Sequence, residues 1–254
     1  METKVPALYR TINILNYIAQ KGKCTASEII DTLALPKSSV YLLLDELKNY
    51  KFIKQDENGY YILWIKLVEL GELASNQIDI REIARKHLAK LTNETGMLSH
   101  LGILENETAY YILKFESYST ISVRSYVGKQ VSLYRSSVGK CLLALQPQEK
   151  IDAIIEKINF ERKTATTLMD KTSLLNELNK IRSQGWAFDD EEDYINVRCV
   201  AAPIFDSNNK ITAAISAVGT TFQVTDESLP EIVNTVKKCA LDISKELGYS
   251  LALR

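Results

Sequence analysis

Apolar side chains recur every three or four positions in three stretches within the first fifty residues. The first stretch, Ala7–Gln20, predicts an amphipathic helix. Its apolar positions are Leu8, Ile12, Leu15 and Ile18. A second helix should begin after Thr25, because this side chain can cap it while Glu28 bonds back to the Thr25 amide. This second helix is expected to run to about Leu33, so the tight turn 34–36 separates it from a third.

The third helix is predicted over Lys37–Tyr50, and Pro36 suits its start because no intrahelical hydrogen bond is needed there. Its apolar stripe consists of Val40, Leu43, Leu44 and Leu47. Lysine, hydroxyl and tyrosine side chains gather at the beginning of the opposite face. Two short helices joined by a tight turn, the second polar at its start, match a helix-turn-helix that reads the DNA major groove. A solvated helix in a small bundle is the alternative.

Two short strand-like runs, Phe52–Gln55 and Tyr60–Leu63, follow the third helix. Between them lies Asn58-Gly59, a pair that favours a hairpin turn. Three helices and a hairpin predict a winged helix-turn-helix, in which the wing contacts phosphates and the third helix contacts base edges. The predicted DNA contacts are Thr25, Ser27, Lys37, Ser38, Ser39, Tyr41, Leu42 and Asn58.

The charge of this segment supports DNA binding only weakly. Residues 1–70 contain nine Lys or Arg and eight Asp or Glu, a net charge of 9 − 8 = +1. A single copy should therefore bind DNA weakly. We expect a homodimer or tetramer that binds double-stranded operator DNA with several DNA-binding domains.

The rest of the chain mixes helices and strands. Residues 64–76 and 80–94 read as helices, and the composition between them predicts a domain boundary near residues 75–80. Strands are predicted over 98–104, 109–115 and 121–126 and as a pair around 206–209, and helices over 137–145, 148–158, 172–184 and 226–247. The pattern predicts an α+β domain with a largely antiparallel sheet. The expected domains are residues 1–70, a linker over 71–80 and residues 81–254.

Composition excludes several classes of protein. Apolar residues make up 46%, charged residues 25%, and the net charge is −1, which is typical of a soluble globular protein. No apolar stretch is long enough for a signal peptide or a membrane span, so a cytoplasmic location is expected. The four cysteines form no CxxC pair and only two histidines are present, so neither a metal site nor a cofactor is expected.

The segment 133–141, Leu-Tyr-Arg-Ser-Ser-Val-Gly-Lys-Cys, raises the question of a phosphate-binding loop. A Walker loop needs a glycine where Tyr134 stands and a hydroxyl where Cys141 stands, so the segment is not one. Ser136 and Ser137 precede an apolar helix, whose first amides could hold a small anion such as a carboxylate. The alternative is that these two serines only cap the helix.

Four segments together resemble the IclR (isocitrate lyase regulator) family of bacterial transcription factors. They are Pro-Lys-Ser-Ser-Val-Tyr-Leu-Leu-Leu-Asp-Glu-Leu at 36–47, Leu-Tyr-Arg-Ser-Ser-Val-Gly-Lys at 133–140, and the runs 181–192 and 197–204. Within the family, the linker 77–81 and the closing Glu-Leu-Gly-Tyr look most similar to regulators of sugar-acid catabolism. The resemblance implies a winged helix, a linker helix and a GAF-like effector domain, in a repressor that dimerises through its N-terminal domains and often forms tetramers.

The resemblance also implies a pocket for a small organic acid, a sugar acid or keto acid. The residues expected there are Arg135, Ser137, Val138, Asp189, Cys199, Ser216 and Val218. Backbone amides at Ser137 and Val138 would hold the acid, and Arg135 would either clamp its carboxylate or lie at the surface. Several positions depart from the family pattern: Arg135 replaces a small residue, Val218 a serine, Leu42 an arginine and Ala34 a glycine.

Two other classes of function compete with the regulator. A small-molecule hydrolase would use Cys199, Asp189 and His100 as nucleophile, orienting group and base, although no catalytic motif surrounds them. A protein-interaction module would use the winged helix for protein contacts and bind no DNA. The sequence therefore predicts a DNA-binding regulator and no catalytic residues.

Overall fold

The computed structural model describes residues 4–75, 77–116 and 125–250. The chain divides into two compact units, of which the first ends at Ile78 and the second begins at Asp79. The first contains helices α1 (Pro6–Lys21), α2 (Ala26–Leu33) and α3 (Lys37–Asn49), strands β1 (Ile53–Gln55) and β2 (Tyr61–Leu63), and helix α4 (Ile65–Ser75). Three helices followed by an antiparallel hairpin confirm the predicted helix-turn-helix and wing.

The core of the first unit combines the apolar faces of α1, α2 and α3. Its fully buried residues include Ile14, Ile18, Ile29, Val40 and Leu44. The predicted amphipathic helix is confirmed in α1, although Leu8 is 57% and Ile12 is 47% exposed in its first half. Periodicity shows that a helix has an apolar side, but the neighbouring elements decide which part of that side is covered.

The local signals at the turns act largely as expected. The Thr25 hydroxyl accepts the Glu28 amide and the Glu28 carboxylate accepts the Thr25 amide, which completes the capping box. Ala34, which follows α2, has a left-handed φ of 50°. The hairpin connection is longer than the Asn-Gly pair, because Asp56 Oδ1 accepts the amides of Asn58 and Tyr60 across residues 56–60.

The second unit contains a six-stranded antiparallel sheet. Its elements are α5 (Ile80–Thr95), β3 (Leu98–Glu105), β4 (Thr108–Phe115), β5 (Gln130–Val131), α6 (Ser137–Ala144), α7 (Gln148–Glu156), α8 (Lys171–Gln184), β6 (Ala187–Asp190), β7 (Val197–Phe205), β8 (Ile211–Thr220) and α9 (Leu229–Glu246). The strand order is β5-β4-β3-β8-β7-β6. This arrangement confirms the predicted α+β class with an antiparallel sheet.

Helices cover both faces of the sheet. Leu101, Val200 and Ile215 belong to the core that includes residues of α5 and α9. The next residues along two of these strands, Ala201 and Ala214, face the opposite way and pack with α6. Strands β7 and β8 therefore contribute alternate residues to two cores, which explains why their sequences are apolar almost throughout.

Two strands differ from the expectation. Most of the strand predicted over 121–126 lies outside the described residues. The short strand β5, which was not predicted, pairs with β4. Strand β6 was missed, because Ala-Phe-Asp-Asp carries two acidic residues of low strand propensity. Pairing with β7 at the edge of the sheet makes this segment a strand, and it brings Asp189 opposite Cys199.

Candidate functional site

The first turn of α3 presents a polar surface. Lys37 and Ser38 are exposed, and Tyr41 and Leu42 are 45% and 66% exposed. Ser39 is half-buried, and its hydroxyl accepts a long 3.5 Å hydrogen bond from Arg10 of α1. Nothing in the sequence of α1 alone indicates this contact of Arg10 with α3.

The other three predicted DNA contacts lie outside α3. Ser27 is exposed at the start of α2, and Asn58 is exposed at the tip of the hairpin. Thr25 is half-buried, and its hydroxyl already donates to the Glu28 carboxylate at 3.0 Å. Thr25 therefore has a structural role in capping α2, which leaves its hydroxyl less free for a phosphate than that of Ser27.

A small, partly open cavity lies in the second unit, where the start of α6 faces the sheet. Its volume is about 50 Å³. Four of the seven predicted effector residues line it, namely Ser137, Asp189, Cys199 and Val218. Three others do not: Val138 packs in the core, Ser216 is buried in β8, and Arg135 lies outside the lining.

The first turn of α6 fits both alternatives considered for Ser136 and Ser137, namely capping of the helix and binding of a small anion. Ser136 caps the helix, since its hydroxyl accepts the Gly139 amide at 3.0 Å. Its carbonyl accepts the Lys140 amide at 2.9 Å. These two bonds involve the amides of Gly139 and Lys140. Among the described residues, the amides of Ser137 and Val138 therefore stay available at the positive end of the helix. Capping by Ser136 and anion binding by the next two amides are therefore compatible.

The Gly-Lys pair has a structural explanation unrelated to phosphate. A Cβ on Gly139 would lie 2.0 Å from the Ser132 carbonyl oxygen, so only glycine allows this close approach. The Lys140 side chain is fully buried, binds Glu192, and lies 3.5 Å from Glu177. Because its ammonium group is paired inside the protein, Lys140 does not face the cavity.

Arg135 is held by groups of the protein. Its Nε donates to Asp193 at 2.8 Å, and its guanidinium lies 4.8 Å from the centre of the Tyr134 ring. A second nitrogen donates to the Glu161 carbonyl at 3.3 Å. A carboxylate clamp by Arg135 would require these contacts to rearrange.

Asp189 is the central polar group of the cavity. It is 4% exposed, and its Oδ1 accepts the Glu192 amide at 2.8 Å. Burial and, secondarily, the Glu192 carboxylate raise the pKa of Asp189 to about 8. The carboxyl group is therefore mostly protonated at neutral pH, so it can donate as well as accept a hydrogen bond.

Cys199 and His100 are not arranged for catalysis. Burial, followed by Asp189, raises the pKa of the Cys199 thiol well above its ordinary value, whereas a nucleophilic cysteine needs a lowered one. His100 Nε2 lies 2.8 Å from the Ser125 hydroxyl. In the part of the chain that the structure describes, no group of three or more His, Cys, Asp or Glu residues is placed to hold a metal ion.

Several lining residues were absent from the sequence prediction. They are His100, Tyr111, Lys129, Asp193 and Tyr194, among others. His100 was considered only as a catalytic base. No local signal could have placed it at the cavity, because its position beside Ser216 depends on the register of β3 against β8.

A wider groove of about 450 Å³ runs between α5 and α9 on the other side of the sheet. Lys86, Lys90 and Lys238 line it. It is open to solvent and Lys86 is already paired with Glu246, so the groove lacks the enclosed polar groups that give a ligand site its specificity. The smaller cavity is the better candidate for a ligand site.

A helix-turn-helix unit and a sheet domain with a polar cavity, joined in one chain, are typical of a regulator that binds DNA with one unit and a small molecule with the other. Comparison with known proteins agrees with this class. The IclR helix-turn-helix domain matches residues 7–57, and the bacterial transcriptional regulator IclR C-terminal domain matches residues 73–245. The chain belongs to the IclR family of transcriptional regulators. Its relatives are named as regulators and not as enzymes, which removes the hydrolase alternative.

Individual relatives match over nearly the whole length. The uncharacterized HTH-type transcriptional regulator RhmR of Escherichia coli is 52% identical over 247 residues, covering 97% of this chain and 95% of its own. The HTH-type transcriptional regulator KdgR of Escherichia coli is 30% identical, covering 96% and 94%. The crystal structure of Thermotoga maritima IclR is 32% identical with a TM-score of 0.65, covering 95% and 98%.

No described helix has the length and apolar composition that a bilayer crossing requires.

Proposed function

We propose that this regulator represses transcription in the cytoplasm by binding operator DNA, and that a small organic acid in the second unit controls the binding. The observation that carries the proposal is the set of polar residues that meet at the cavity. It gathers Ser137 from α6, Asp189 from β6 and Cys199 from β7, which are far apart in the sequence. A sugar acid or keto acid has the carboxylate and oxygen groups that such a cavity can bind.

The carboxylate of the acid is proposed to bind at the start of α6. The amides of Ser137 and Val138 and the helix dipole favour an anion there. Lys129 adds a positive charge to the lining. Asp189 does not repel the anion, because its carboxyl group is mostly protonated at neutral pH. It is free to hydrogen-bond a hydroxyl or keto oxygen of the ligand.

Ligand entry is proposed to change the conformation of the second unit. A cavity of about 50 Å³ is far below the roughly 300–1,000 Å³ of ligand pockets, so a six-carbon acid requires the walls to separate. Lys129 lies 5.5 Å from the Tyr194 ring centre and connects two segments of the wall. An acid that binds only the widened state shifts the population of molecules toward that state. This shift is proposed to change how the DNA-binding units are arranged for contact with the operator.

DNA recognition is proposed to use the first turn of α3 and the hairpin in at least two copies of the chain. Exposed apolar residues of the first unit support pairing, since a monomer leaves them in water. They include Leu8, Tyr9 and Ile12 of α1 and Val68, Leu70 and Leu73 of α4. A symmetric dimer would read a symmetric operator and would compensate for the small net charge of each head.

The test is fluorescence anisotropy of the full chain with DNA from upstream of its own and neighbouring genes, at two salt concentrations, with and without sugar acids and keto acids. Tight binding that weakens with salt and that one acid alters is expected. Lys37→Ala should weaken binding, whereas Lys48→Ala, near the other end of α3, serves as the matched control. No binding to any fragment would refute the DNA-binding proposal, and binding that no acid alters would refute the ligand proposal.

A further inference from the structure

His100 is a buried polar residue of the cavity to which the proposed function assigns no role. It lies on β3 and is 1% exposed. Its ring stacks on Tyr111 with the ring centres 3.9 Å apart and the planes 10° apart. Its Nε2 atom lies 2.8 Å from the Ser125 hydroxyl. Two neighbours therefore fix the plane and the rotation of this imidazole.

The other ring nitrogen has no such partner. Among the described residues, His100 Nδ1 and the Ser216 hydroxyl are buried and lack hydrogen-bond partners. The two residues are directly paired across β3 and β8, so their side chains emerge on the same face of the sheet. Buried polar atoms without partners are rare, because each has lost its hydrogen bonds to water without gaining others. His100 lines the cavity and Ser216 is its neighbour on the adjacent strand, so these two atoms indicate a place for a polar atom of a ligand once the cavity widens.

The imidazole is neutral at this site. Burial first, then Lys114 and Lys129, lower the pKa of His100 to about 3. A neutral imidazole has one nitrogen that donates and one that accepts. It therefore forms a hydrogen bond with a hydroxyl or carbonyl oxygen and contributes no charge to bind a carboxylate.

We propose that His100 determines the specificity of the cavity: its Nδ1, together with the Ser216 hydroxyl, hydrogen-bonds a hydroxyl group of the ligand. The cavity then selects a hydroxylated carboxylic acid over the same acid without that hydroxyl. This inference rests on the proposed function, since it assumes that the acid occupies this cavity. Rejection of the deoxy compound follows from leaving two buried polar atoms unpaired.

Two substitutions separate the roles of the two ring nitrogens. In His100→Asn the amide lies near the position of Nδ1, and in His100→Gln it lies near that of Nε2. Asn should therefore preserve recognition of the ligand hydroxyl, whereas Gln should preserve only the contact with Ser125. A merely structural role for His100 predicts the opposite order, because the contact with Ser125 would be the important one.

The experiment measures binding of the full chain to matched probes by calorimetry: gluconate, 2-deoxygluconate and 3-deoxygluconate, and lactate with propionate. Wild type should prefer one hydroxylated acid over its deoxy partner by about tenfold or more. His100→Gln and Ser216→Ala should reduce this preference to about twofold or less, and His100→Asn should keep most of it. Circular dichroism and binding to the operator fragment check that each variant is folded.

Failure of this inference differs from failure of the proposed function. If wild type binds an acid but shows no preference for the hydroxyl, or if His100→Gln retains the preference, His100 does not determine specificity. Ser216→Ala tests the same point should the histidine variants not fold. If wild type binds none of the probes and no acid alters its binding to DNA, both proposals fail together.

Discussion

Lys140→Met is expected to destabilise the second unit, because it removes the cation of a buried ion pair. Lys140 is fully buried and its ammonium group binds the carboxylate of Glu192, which is 6% exposed. Methionine keeps much of the side-chain volume, so the substitution tests charge more than packing. The second carboxylate oxygen of Glu192 already lacks a hydrogen-bond partner among the described residues. Without Lys140, that carboxylate would lose its cationic partner while Glu177 still raises its pKa.

The magnitude follows from the burial of the pair. Removing one partner of a buried ion pair costs about 3–5 kcal/mol. Protonation of Glu192 limits the loss, because burial already raises its pKa to about 7 although Lys140 opposes the shift. Because the pKa of Glu192 is raised in the folded protein, its contribution to stability is greatest at low pH. This contribution is lost as pH rises through the folded-state pKa. We therefore expect a loss of about 3 kcal/mol at pH 8 and a smaller loss at pH 6.

The assay is thermal unfolding at pH 6 and pH 8, followed by circular dichroism. For a domain of this size about 3 kcal/mol lowers Tm by roughly 6–12 °C. Lys180→Met, at an exposed position of α8, is the matched control. Lys140→Met/Glu192→Gln should recover most of the lost stability, since it leaves no buried charge. A loss below about 1 kcal/mol at pH 8, or a double variant no more stable than Lys140→Met, would refute the reasoning.

Four further predictions concern other parts of the molecule. Tyr41→Ala should weaken specific DNA binding without lowering Tm; unchanged affinity in anisotropy counts against docking through α3. Asp189→Asn should bind the acid at pH 7, whereas Asp189→Ala should not. Wild-type binding of the acid should weaken as pH rises through about 8, because the raised pKa keeps the Asp189 carboxyl neutral only below that value. Calorimetry at a series of pH values tests both expectations. Gly139→Ala should prevent normal folding, because its Cβ would lie 2.0 Å from a carbonyl oxygen; a folded, soluble product contradicts this. Ala34→Gly should raise stability by about 1 kcal/mol, because φ is 50° there; denaturant unfolding that shows a loss contradicts it.

The wide groove between α5 and α9 illustrates why cavity size alone does not identify a ligand site. It has about nine times the volume of the cavity beside α6, about 450 Å³ against about 50 Å³. The small cavity is preferred because it brings buried polar groups from three strands and a helix together, and such groups give orientation and specificity.

Local patterns in the sequence were sufficient for the helix-turn-helix. Periodic apolar residues, the Thr25 capping box and the Asn58-Gly59 turn act over a few residues, so each can be recognised without knowledge of the rest of the chain. The segments 36–47 and 133–140 are among those whose resemblance to the IclR family identified the chain as a regulator. The residues around Lys140 also exclude a Walker phosphate loop, but they do not predict that the Lys140 side chain is buried against Glu192.

Only the tertiary structure decided which residues share the cavity. Strand β6 forms because it pairs with β7, and this pairing brings Asp189 opposite Cys199. The register of β3 against β8 brings His100 beside Ser216, more than a hundred residues away in the sequence. Burial then sets the pKa values of Asp189 and His100 in opposite directions from their ordinary values. These properties depend on distances and desolvation that arise only when the sheet and α6 have packed, so no local pattern encodes them.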